Sequence, residues 1–71
     1  MNTNTAIVEV LLENGTLATK RVTPKRNYTH AIVTDTEVLS WHTDVVTANR
    51  AYYRKALHVD GPLRIVRTSL A

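Results

Sequence analysis

Asn14-Gly15 lies between an apolar stretch, Ala6–Leu12, and a mixed return stretch, Leu17–Val22, and constrains the chain more than any other pair of residues. Asn and Gly both tolerate the positive φ angles of a tight turn, so the flanking stretches fold back on one another as an antiparallel hairpin. β-Branched residues enrich Ala6-Ile7-Val8-Glu9-Val10-Leu11-Leu12, which reads as a strand. Two registers are open. A two-residue Asn14-Gly15 loop pairs Leu12 with Leu17 and Glu9 with Lys20, whereas a longer loop with Gly15 in a bulge shifts every pair by one. The Glu9–Lys20 charge pair favours the first register. In either, the basic end of the second strand emerges at Lys20 and Arg21.

Thr23-Pro24-Lys25-Arg26-Asn27 is a break, because proline lacks a ladder donor and restricts the residue before it. Tyr28–Val33 reads as a third strand, Thr34–Glu37 as a turn, and Val38–His42 as a shorter fourth strand. Thr43 or Asp44 offers a side-chain oxygen to the free N–H groups of a first helical turn. From Val45 to about Val59 the spacing is helical. Val45, Val46, Ala48, Tyr52, Tyr53, Ala56, Leu57 and Val59 fall on one wide apolar arc. Thr47, Arg50, Arg54, Lys55 and His58 lie mostly on the other side. Asp60-Gly61-Pro62 stops the helix, and Leu63–Leu70 closes the chain as a strand. The expected fold is therefore α+β. It is a small two-layer domain with a three- to five-stranded, mainly antiparallel sheet and one helix packed on one face, in the order β-β-β-(β)-α-β. The helix would join the fourth strand to the last by a crossover. Met1–Thr5 is expected to be a disordered tail, and residues 6–71 a single domain.

With 71 residues, such a domain buries only about 60% of its unfolded surface, so a large active site behind a lid does not fit. Cysteine is absent, which removes disulfides, iron–sulfur clusters and thiolate zinc sites from consideration. His30, His42 and His58 lack the short spacing that brings imidazoles onto one metal, so no metal site is expected. Ser40, His42 and Asp44 alternate along one strand, but neighbours on a strand do not hold the nucleophile–base–orienter geometry of hydrolases. Gly15 and Gly61 are the only glycines, too few for a glycine-rich phosphate loop. The expectation is a protein that is not an enzyme and carries no cofactor. Ala6–Leu12, interrupted by Glu9, is read neither as a signal peptide nor as a membrane span. Asn14-Gly15-Thr16 and Asn27-Tyr28-Thr29 are read as chance glycosylation matches.

Binding chemistry fits better. Formal net charge is +3, and the charges come in blocks. Residues 1–19 carry only Glu9 and Glu13, then Lys20, Arg21, Lys25 and Arg26 crowd together. Asp35, Glu37 and Asp44 follow without a base, and Arg50, Arg54 and Lys55 form a second basic block. Arg64 and Arg67 form a third. The plainest account of such blocks is solvated strand edges and a solvated helix face. Two binding accounts compete with it. Lys20, Arg21, Lys25 and Arg26 interleave with Tyr28 and His30, a mixture of phosphate-neutralising cations with a ring on which a base could stack, and the helix adds Arg50, Arg54 and Lys55 to this track. Arg50, Tyr53 and Arg54 on the helix are also the residue types that anchor protein interfaces, with an open sheet edge as a further contact. The chain has neither the aromatic pair and glycines of an RNA-recognition strand nor a helix-turn-helix pattern, so any contact to DNA or RNA would be to phosphates and non-specific. A homodimer joined at open sheet edges is a third account. Trp41, Tyr28 and Tyr52 are read first as core, since the chain has no Phe.

Gly15-Thr16-Leu17-Ala18-Thr19 is followed by Arg26-x-Tyr28-Thr29-His30-Ala31-Ile32-Val33, a tryptophan, a helix bearing Ala, Arg and Lys, and a terminal Ile65-Val66 strand. This pattern resembles the short orphan accessory proteins of bacteriophages, especially phages of actinobacteria. It covers residues 6–68 and is most specific in the Arg-x-Tyr-Thr-His-Ala run. The resemblance carries no activity residue by residue. It implies a context: a small accessory protein in the cytoplasm of a bacterial host that binds and redirects one host protein, host-defence machinery included.

Overall fold

The structure, a computed structural model, describes residues 5–71. The tail expected over Met1–Thr5 lies outside the described residues except for Thr5, which is exposed. Six strands form two antiparallel three-stranded sheets, and one helix packs against them. The first sheet has the order β2-β1-β6, with β1 at Ala6–Leu11, β2 at Leu17–Val22 and β6 at Ser69–Leu70. The second has the order β4-β3-β5, with β3 at His30–Val33, β4 at Val38–His42 and β5 at Arg64–Arg67. Helix α1 spans Val45–Ala56. The α+β class, the antiparallel pairing and the helix packed on the sheet layer are those expected from the sequence.

The preferred hairpin register is overturned. Leu11 pairs with Leu17, Glu9 with Thr19 and Val8 with Lys20, so Glu9 and Lys20 are not partners. Leu12 N–H donates to Thr16 O at 2.9 Å and Gly15 N–H to Leu12 O at 3.0 Å, which closes a three-residue loop, Glu13-Asn14-Gly15. Gly15 sits at φ 88°, and the Asn14 side-chain oxygen accepts from Thr16 N–H at 2.9 Å. A one-residue slip moves every side chain of a strand to the other face. The observed register sets Val22 beside Ala6 on the covered face and buries it. The alternative would have turned Val22 to the uncovered face, while a basic residue stands opposite the buried Val8 in either register, Lys20 as observed and Arg21 otherwise. Burial of Val22 outweighs an exposed cross-strand ion pair worth at most about 1 kcal/mol.

The last apolar stretch does not form one strand. Leu63 precedes the ladder, β5 ends at Arg67, and Thr68 turns the chain into the other sheet. Thr68 N–H donates to Thr29 O and its hydroxyl to Tyr28 O, at 2.9 and 2.8 Å. Tyr28 and Thr29 are thereby taken out of the expected third strand, which starts at His30. Since β4 and β5 are both antiparallel to β3, they run parallel to each other on its two sides, and α1 makes the crossover between them.

The buried residues are aliphatic: Val8, Val10 and Val22 from the first sheet, Leu12 just beyond β1, Ala31, Ile32 and Val33 from β3, and Ala48 from α1. Val10, Leu12, Ala31 and Val33 form one cluster, with Val38, Trp41 and Val66 packed against it. Trp41 thus serves the core as expected, although half-buried, and Tyr28 and Tyr52 are also only half-buried. The tips of the two hairpins touch where Asn14 N–H donates to Asp35 O at 3.1 Å, and Glu13 pairs with Arg64 at 3.5 Å.

Asp44 is the N-cap, its carboxylate accepting from Thr47 N–H at 2.8 Å. The helix ends at Ala56, three residues before the expected Val59: His58 and Val59 N–H both donate to Lys55 O, at 2.9 and 3.1 Å, in a closing turn. The expected core arc is also corrected. At about 100° per residue the apolar arc covers roughly half the circumference of the helix, more than one sheet can cover. Ala48, Ala51, Tyr52 and Lys55 face inward, whereas Val45, Val46, Tyr53, Ala56 and Leu57 are exposed. Lys55, expected in solvent, is half-buried.

Candidate functional site

The basic and aromatic residues marked in the sequence fall into two groups on different parts of the molecule. Lys20 and Arg21 are in β2 and point to opposite faces by strand alternation. Lys25 and Arg26 sit in a tight turn, where Thr23 and Arg26 exchange backbone hydrogen bonds and Arg26 N–H also reaches the Thr23 hydroxyl at 3.2 Å. Tyr28 is half-buried, and the Lys20 Nζ lies 5.6 Å from its ring centroid. That ammonium stands over one face of the ring as a cation–π contact. A cleft of about 280 Å³ opens beside this turn, but its walls are Ala6, Val22, Thr23, Pro24, Asn27 and Leu70, with no charge among them.

Arg50, Tyr53 and Arg54 form the second group, on α1, which packs on β3, β4 and β5. Helical spacing places them with Val46 and Leu57 on the side opposite the buried Ala48. Val46 is 57%, Tyr53 71% and Leu57 81% exposed. This outward face mixes three large apolar side chains with two guanidiniums, and α1 contains no acidic residue from Val45 to Ala56. Tyr52 steadies the Tyr53 ring in an edge-to-face contact, centroids 5.7 Å apart. The sequence assigned Val46 and Leu57 to the core. The signal that they are surface is the width of the apolar arc.

His30 joins neither group. It lies opposite both His42 and Arg67 in the ladder. The Thr29 hydroxyl donates to Thr43 O at 3.0 Å, so it accepts from His30 Nδ1–H at 2.8 Å. Ser40 Oγ and His42 Nε2 are 2.7 Å apart. Burial, chiefly, then the charge of Lys55 and, against the pull of Asp44, that of His30 hold His42 below the ordinary imidazole range. The Asp44 carboxylate is depressed, mainly by the Thr47 N–H it caps. Asp44 is thus engaged as the cap of α1, and neither cleft is lined by Ser40 or His42. Among the described residues, no three His, Asp or Glu converge as metal ligands, and no helix is long and apolar enough to cross a membrane.

The second cleft lies between α1 and β4. It measures about 390 Å³ and is lined by Leu39, Arg54, Lys55, His58 and Val59. His58 was not singled out as a binding residue in the sequence, and Lys55 only as a cation of the helix face that could meet phosphates. Their convergence with Leu39 depends on how the helix crosses the sheet.

No family model matches the chain, and neither a curated protein nor a solved structure matches it.

Proposed function

We propose that the chain is a non-catalytic binding protein that docks on another protein through the outward face of α1. In the context implied by the phage resemblance, the partner is a protein of the bacterial host, met in the host cytoplasm. The observation that carries this reading is the exposure of Val46, Tyr53 and Leu57 on the same face as Arg50 and Arg54. Aromatic and arginine anchors ringed by aliphatic contacts are the composition of a protein interface, and phosphate backbones gain nothing from Val and Leu. The partner surface is acidic, because the face has two cations and no carboxylate. A second copy of this chain fits poorly, since a two-fold contact through α1 would set arginines against arginines.

The test is retention of lysate proteins by immobilised protein, compared with a Val46→Ser/Leu57→Ser variant. Both positions are exposed, so the variant keeps its circular dichroism spectrum. Proteins held by the original chain are lost by the variant. An identical retained set for both would overturn the reading. Two controls address the other accounts. Anisotropy with random DNA and RNA that falls steeply with salt would transfer the function to phosphate contacts, and a dimer in sedimentation that the variant abolishes would assign α1 to self-association.

A further inference from the structure

We infer that the cleft between α1 and β4 receives an extended, acidic segment of a partner protein, added as a strand to the free edge of β4. The inference rests on the reading of the chain as a protein-binding module, and it adds a contact of different chemistry on the flank of the α1 face.

Two independent features converge there. The first is charge over an apolar floor. Arg54, Lys55 and His58 line the cleft with Leu39 and Val59, and no carboxylate is among them. The one ion pair among the described residues is Arg64–Glu13, so Arg54 and Lys55 have no acidic partner among them. Part of this charge complements the helix C-terminus, which favours cations in its last turn. That effect explains why bases stand at the end of α1 but not why they border a cavity with an aliphatic floor.

The second feature is the strand beside it. In the order β4-β3-β5, β4 has a neighbour on one side only. The register shifts between Ile32 paired with Ser40 and Val33 paired with Val38, which leaves Leu39 as the extra residue of a bulge. Bulges re-aim a side chain, and Leu39 lines the cleft. An edge strand flanking a groove is the arrangement in which an extended peptide adds main-chain hydrogen bonds along the edge and every second side chain enters the groove. Here those alternate side chains meet cations and then aliphatics. The fitting segment therefore has a carboxylate and an apolar side chain two positions apart. No Phe, Tyr or Trp ring lines the cleft and no glycine N–H cradle is among its walls, which leaves only the His58 imidazole as a stacking surface for a nucleobase.

The probe is a fluorescein-labelled seven-residue peptide with glutamate at its second and sixth positions, leucine at its fourth and threonine elsewhere. Fluorescence anisotropy at low salt is expected to give micromolar binding. Affinity should fall at least tenfold with Arg54→Ala/His58→Ala, both exposed positions, and again when glutamine replaces both glutamates. It should fall similarly when alternate peptide amides are N-methylated to remove the edge hydrogen bonds. No binding would overturn the inference, as would binding indifferent to the double variant or to N-methylation. Displacement by an oligonucleotide of equal charge would overturn it in favour of phosphates. The Val46→Ser/Leu57→Ser variant separates the two conclusions. Lysate capture lost in that variant while the peptide fails to bind leaves the α1 reading intact and removes the cleft. Peptide binding with lysate capture unaffected by the variant does the reverse.

Discussion

His42 shows how a side chain placed for packing acquires a pH dependence. It lies in β4 opposite His30, hydrogen-bonded to Ser40, with Lys55 of α1 and Asp44 also acting on it. Its folded-state pKa is lowered from 6.5, mainly by burial. A base depressed on folding binds more protons in the unfolded chain, so stability rises with pH across this group. The contribution is fully present above 6.5 and is lost as pH falls from there towards the depressed folded value. Asp44 is also depressed, but a carboxylate loses its contribution only as pH falls below 3.8, so the two windows are separate. The melting temperature is therefore expected to drop as pH is lowered from 7.5 to 5.5. His42→Gln, which can still bond to Ser40, should flatten that slope. An unchanged slope in the variant would show that another group carries it. The sequence did not disclose this. His30 and His42 are scattered in the chain, and only the antiparallel register brings them side by side.

At the scale of elements, the hairpin shows what a local signal decides and what it leaves to the core. Asn14-Gly15 specified a turn, and a turn formed. It did not choose between two loops that both suit Asn-Gly, because β2 lacks a clean alternation: Leu17, Ala18 and Val22 do not lie on one face. The choice fell to burial of Val22. Gly15 now holds φ 88° with open space where a Cβ would stand. Gly15→Ala therefore meets no clash and suffers only the left-handed backbone penalty, an expected loss of about 1–2 kcal/mol in chemical denaturation. A loss near zero would mean that the loop can relax into the two-residue form. Helix α1 teaches a related lesson. Its periodicity, its Asp44 cap and its apolar arc were all legible. Which edge of that arc meets the sheet was not, since arcs centred on Ala48 and on Tyr53 satisfy the same spacing. The outward residues Arg50, Tyr53 and Arg54, which we propose as docking residues, could thus be marked from sequence, whereas their exposed neighbours Val46 and Leu57 were placed on the apolar arc.

At the scale of the whole molecule, the structure is flat and long, 45 × 27 × 14 Å, with a radius of gyration of 12.6 Å. A compact chain of this length would have roughly 11 Å. Two sheets spread the chain out, and the feature that divides them was invisible in Leu63–Leu70, a continuous strand-like run with no glycine or proline to mark the turn at Thr68. The division raises the question of whether the sheets unfold separately. Five connections oppose that: the direct passage of β5 into β6, the Thr68 bonds to Tyr28 and Thr29, the Asn14–Asp35 hydrogen bond, the Glu13–Arg64 ion pair, and the cluster that joins Val10 and Leu12 to Ala31 and Val33. The cluster weighs most, because it supplies buried apolar area to both sheets at once, whereas each hydrogen bond contributes only about 1 kcal/mol net. Val33 is fully buried, so Val33→Ala is expected to cost about 2–3 kcal/mol. That is a large share of the roughly 4–10 kcal/mol available to a domain of this size. Denaturation should remain a single transition. Amide-exchange protection in β1 and β2 should fall together with that in β3 and β4, although the substitution lies in the second sheet. If β1 and β2 kept their original protection, the two sheets would be independent units and the first hairpin an appendage of the helix-bearing sheet.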